Sequence, residues 1–162
     1  MAQTELQPDS LRNMLIADWE RAKAYTLEFV DAMPEEGFSF RPTEDIRSFA
    51  EQMLHLSQGN INLSSNGTQA ERLYSDESLE KTEEYKSKEK VREFVVIGYD
   101  HVIEGIRNMD LSTLGEIKAA GPFNVTRLGW INKAFEHQTH HRGQCAIYLR
   151  LQGVTPPRSK LF

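Results

Sequence analysis

A chain of 162 residues, 39% hydrophobic and 27% charged, is long enough to bury a core without staples and lies outside the disordered and fibrous composition classes. Nineteen lysines and arginines against 24 aspartates and glutamates give a net charge of −5 with no basic block, which argues against nucleic acid as the main partner. The longest apolar runs, such as residues 94–97 and 145–149, fall far short of the roughly 18 residues that span a bilayer, so no membrane helix is expected.

Residues 1–14 have neither a basic start nor an apolar centre and do not read as a secretory signal. The first helix is expected to start near Asp9 or Ser10 and to run to about Ala32, with Leu11, Leu15, Ala22, Tyr25 and Phe29 on one apolar face. Pro34 and Gly37 end it. Residues 38–42 read as an extended linker, because Pro42 biases its predecessor away from helical angles. A second helix opens on a capping box in which Ser48 accepts from the Glu51 amide and the Glu51 carboxylate reaches back to the Ser48 amide. That places His55 about two turns in. Residues 66–85 are polar and acidic and read as a surface crossover with at most a short helical turn.

The third helix is expected from about Ser87 to Asn108, slightly weakened by Gly98 and Gly105. A loop over residues 115–122 leads to a fourth helix from about Val125 to Gln152, stopped by Gly153, Pro156 and Pro157. No segment sustains the period-two pattern of a sheet, so the class is all-α, one domain over residues 1–162. Two long connections suit a bundle with a crossover. The single cysteine, Cys145, can form no internal disulfide, which fits a reducing cytoplasm.

The chemistry concentrates in residues 136–144 of the fourth helix. His137 and His141 are four residues apart, so their side chains stack on one face about 6 Å apart and can converge on one ion. A third ligand must come from another element, and His55 is the best candidate. On its helix Ser48, Gln52, Gln58 and Asn62 form a polar stripe. Trp130, Ala134, Gln144 and Tyr148 share the histidine line of the fourth helix, the two aromatics reading as core residues that edge the cavity. Three imidazoles without a carboxylate favour zinc, nickel, copper or iron over calcium and magnesium. Three protein ligands leave a coordination position open, where a water would be acidified or a substrate thiol or carbonyl polarised.

Other residues carry plainer readings. His140 reads as a supporting or interface contact, His101 as partly exposed, and Cys145 as a buried filler with no base beside it. Glu51 and Gln52 could orient the His55 ring. Gly143 reads as a point of close helix approach.

The blocks Arg41-Pro42, Ser48-Phe49-Ala50-Glu51-Gln52-Met53-Leu54-His55 and His137-Gln138-Thr139-His140-His141-Arg142-Gly143-Gln144 resemble the DinB-like family, also called the DinB/YfiT metalloenzyme superfamily. The resemblance implies an up-down four-helix bundle with a long crossover, commonly a homodimer, and a three-histidine metal site. Carried over by position, its ligands are His55, His137 and His141. It further implies a metal-dependent enzyme, either a transferase for a low-molecular-weight thiol such as bacillithiol or mycothiol, or an isomerase or hydrolase using the same site. Zinc or nickel is the first expectation, with iron or copper next. The competing expectation is a stress-related protein that binds a metal or small ligand without turnover.

Overall fold

The computed structural model describes residues 7–162, so part of the opening segment that does not read as a signal lies outside it. Four helices carry the fold: α1 (Pro8–Ala32), α2 (Phe49–Thr68), α3 (Lys88–Asn108) and α4 (Arg127–Leu151). None among the described residues is long and apolar enough to cross a membrane. The expected all-α bundle is present, and the capping box of α2 forms as read. The Glu51 amide donates to Ser48 Oγ at 3.3 Å and the Ser48 amide to Glu51 Oε2 at 2.9 Å. The first helix starts slightly earlier than expected. Gln7 stands at its N-cap without a side-chain bond, and a proline in the first turn supplies the helical φ.

Two segments depart from expectation. The linker at 38–42 begins instead as the end of a 3-10 turn over Glu35–Ser39, because Phe38 is drawn into the core with its ring 5.2 Å from that of Phe49. The loop at 115–122 is largely a β-hairpin, β1 (Ile117–Ala120) paired antiparallel with β2 (Phe123–Thr126). Gly121 takes φ +57° and Pro122 follows it with its ring-fixed negative φ, the sign pattern of a type II′ turn. Strands of four residues are too short for their alternation to stand out in a sequence. The second strand also claims Val125 and Thr126, so α4 starts at Arg127, with Thr126 Oγ1 accepting from the Gly129 amide at 3.0 Å.

Both α1 and α2 pack against α3 and α4. Cross-helix partners set the directions. Arg12 of α1 donates to the carbonyls of Ile106 and Met109 at the end of α3, and Arg92 near its start pairs with Asp31, so these helices are antiparallel. Ser57 faces Gly98 and Thr68 faces Gly105, so α2 and α3 run parallel. Gly59 faces His137 and Gly67 faces Ile131, so α2 and α4 are antiparallel. The order is up, down, down, up, and the crossover is the segment 69–87, which carries the chain back along α2. It is held there by fully buried Leu79 and by the Gln58 side chain, which donates to the Glu77 carbonyl at 2.8 Å and accepts from the Leu79 amide at 3.0 Å.

The second helix is approached closely on both sides. A Cβ at Gly98 would lie 2.8 Å from the Ser57 carbonyl oxygen, and one at Gly67 would lie 2.6 Å from the Arg127 carbonyl oxygen. Gly143, by contrast, is exposed with no atom within 4 Å of its Cβ position, which corrects its reading as a contact point. The packed face of α4 is that of Ile131, Ala134, His141 and Cys145, which Gly143 does not share. Gly98→Val is therefore expected to lower unfolding free energy in urea by about 1–3 kcal/mol. Gly143→Ala should raise it by roughly 0.5–1 kcal/mol through helix propensity alone.

Candidate metal centre

Because α2 and α4 are antiparallel, a residue two turns into α2 faces the middle of α4. His55, His137 and His141 meet there, each offering a ring nitrogen within 4.8 Å of the others. The His55 and His137 Nε2 atoms are 3.2 Å apart. Such a group of neutral nitrogen donors could hold one divalent transition metal at about 2.0–2.1 Å per bond. His141 is buried and the other two are half-buried. Gly59 makes room for them: its Cβ position lies 2.2 Å from His137 Cε1, so no larger residue fits without moving that ring.

Burial holds all three imidazoles below the usual histidine pKa. His137 is pushed down to about 4 by burial and then by the neighbouring His55, and His141 to about 3 by burial and then by His137. For His55 burial also dominates, opposed by the carboxylate of Glu80. The rings are thus neutral and keep a lone pair for a cation.

Their outer nitrogens decide which lone pair faces inward. His55 Nδ1 lies 2.9 Å from Glu80 Oε2, and Arg47 holds that carboxylate with Nε at 2.6 Å and a second nitrogen at 3.2 Å. His141 Nδ1 lies 2.8 Å from Gln52 Oε1 and 3.1 Å from Gln144 Oε1. Gln52 is oriented in turn by donating Nε2 to the Tyr148 hydroxyl at 3.3 Å, and that hydroxyl donates to the Arg47 carbonyl at 2.7 Å. Carboxylate and amide oxygens only accept, so Nδ1 carries the proton in both rings and Nε2 is left free. His137 Nδ1 is buried with no partner, so no acceptor behind that ring draws its proton to the outer nitrogen; in the metal-free cluster its Nε2 is the one that can donate to His55 Nε2.

The orienting residue of His55 is therefore Glu80, not Glu51 or Gln52. Glu51 is held by its cap, by Arg41 at 2.5 Å and by Lys86 at 3.0 Å, while Gln52 serves His141. Glu80 sits in the acidic crossover, where nothing in its spacing separates it from the other carboxylates. Of the expected polar stripe only Gln52 reaches the cluster, since Ser48 caps the helix and Gln58 holds the crossover. Cys145 is fully buried and its thiol pKa is pushed up by burial, as suits a filler. His101 is half-buried and bonded to Ser65 Oγ at 2.9 Å, away from the cluster. Trp130 Nε1 donates to the Lys118 carbonyl at 2.8 Å, tying α4 to the hairpin.

Two cavities reach the cluster from different sides. One, of about 770 Å³, is strongly charged, with Arg41, Arg47, Lys86, Glu51 and Glu80 around His141. The other, of about 550 Å³, is mainly apolar and includes His137. His140, exposed and edge-on to His141 with ring centroids 4.9 Å apart, lines both.

In the metal-free protein at neutral pH, long-range nitrogen-proton NMR should find His55 and His141 in the Nδ1-protonated tautomer. Glu80→Ala should convert His55 to a mixture and leave His141 unchanged.

The chain matches the model of the DinB family over residues 1–161. A DinB-like protein of Bacillus cereus has a similar solved structure, with a TM-score of 0.78 at 17% identity over 91% of this chain and 97% of that one. YjoA, a DinB-like protein of Bacillus subtilis, is similar with a TM-score of 0.66, also at 17% identity, over 91% of this chain and 96% of that one. At such identity the likeness is one of fold. No curated protein matches the chain.

Proposed function

The chain belongs to the DinB family, and from that premise we propose that it is a metal-dependent enzyme acting through His55, His137 and His141, as a thiol-dependent transferase or a hydrolase. The observation that carries this reading is the convergence of three neutral imidazole nitrogens, from two helices, between two cavities. The nitrogen-only donor set suits zinc or nickel, then iron or copper, and excludes the oxygen environment that calcium or magnesium prefers. When bound, such a cation would lower the pKa of a thiol or water beside it.

The remaining work falls to the chain's own side chains. Glu80 and Gln52 hold the His55 and His141 rings so that Nε2 faces the cluster. The charged walls of the larger cavity offer both signs of charge to a polar co-substrate such as a low-molecular-weight thiol. His140 stands where both cavities meet the cluster and is placed to accept a proton from the group that reacts.

Protein purified without a histidine tag should carry close to one transition-metal ion per chain by elemental analysis, and His55→Ala should lose it. With a thiol and monochlorobimane, the loaded protein should turn over and His137→Ala should not. Turnover by His137→Ala equal to wild type would remove the transferase form. Stoichiometric metal with no turnover across thiols and esters would leave a binding protein instead.

A further inference from the structure

The apolar cavity has a composition that the charged one lacks. Leu63 of α2, Phe123 and Val125 of the hairpin and Trp130 of α4 wall it, and His137 and His140 complete its lining. Its volume of about 550 Å³ falls in the range of small-molecule sites. The two charged residues on its rim, Lys133 and Glu136, pair with each other at 2.7 Å and so offer little net charge to an ion. Phe123 is 60% exposed although it is large and apolar, which leaves a ring face free on the outer wall.

We propose that this cleft between the hairpin and α4 is the subsite for an uncharged aryl or alkyl group of the second substrate, delivered to the cluster through a different cavity from the charged one. The inference rests on the reading of the histidine cluster as the reaction centre, but the binding it predicts does not require the metal. Desolvating an ion against these walls would cost more than the paired rim could return, whereas an apolar group gains by leaving water. The hairpin is then a functional element: its second strand supplies two walls, and Trp130 anchors it through the Lys118 carbonyl.

The test titrates the uncharged fluorophore N-phenyl-1-naphthylamine into metal-stripped full-length protein, with metal content and helical circular dichroism measured on each variant. Saturable binding is expected, weakened about tenfold or more in Phe123→Glu and in Leu63→Gln. Ile147→Glu, at an exposed position of α4 outside the cleft, should bind as wild type. The sulfonated analogue 1-anilinonaphthalene-8-sulfonate should bind more weakly than the neutral probe. Unchanged affinity in Phe123→Glu and Leu63→Gln, equal loss in Ile147→Glu, or preference for the sulfonate would each overturn the proposal. Both cleft variants should retain metal when reloaded. Wild type that binds the probe but never metal would sink the reaction-centre reading while leaving the cleft intact.

Discussion

Everything at the centre of this molecule depends on how closely α2 can approach α4. Two glycines of α2, Gly59 and Gly67, stand where a Cβ would collide with the His137 ring and with the Arg127 carbonyl. Removing two side chains from one helix face lets the backbones draw together, and only at that separation does His55 come within 3.2 Å of His137. The register is held at one end by buried Arg127, whose Nε donates to the Gly67 carbonyl at 2.7 Å where α2 runs out of internal partners. At the other end the Tyr148 hydroxyl bonds to the Arg47 carbonyl just before α2 begins. A slip of α2 by one residue would break both ties and rotate His55 by about 100° away from the cluster.

The cluster is supported unevenly, which bears on how it works. His55 and His141 each have an acceptor behind Nδ1, so their inward lone pairs are preset by the fold. His137 has the room that Gly59 gives it but no partner for its buried Nδ1. The Asn60 amide, on the adjacent turn of α2, is buried against Tyr99 and not against the three rings. The cluster thus joins two rings held by acceptors to one held by packing alone.

The two connections that the chain inserts between helices do more than span distance. The crossover delivers Glu80 to His55 because its neighbour Leu79 is buried and its backbone is bonded to Gln58. The hairpin delivers Phe123 and Val125 to the apolar cavity that His137 lines. One connection shapes the polar approach and the other the apolar one, with His140 at the meeting of both.

The helices, the capping box at Ser48 and the histidine set were legible in the residues because each depends on spacing along one helix: an N-cap three residues from its glutamate, an imidazole pair four residues apart, apolar residues recurring every three to four. The hairpin was not, since its strands are four residues long and its turn depends on a glycine whose φ is set by pairing. Nor could spacing tell Gly143, on an open face, from Gly59, against a ring, because a glycine carries no mark of what stands opposite it. The sequence alone thus determined which side chains could bind a cation and on which helices they ride. Only tertiary packing decided that they meet, that Glu80 and Gln52 turn the first and last of them, and that a charged and an apolar cavity flank them. Those facts depend on contacts between segments tens of residues apart, which no local periodicity encodes.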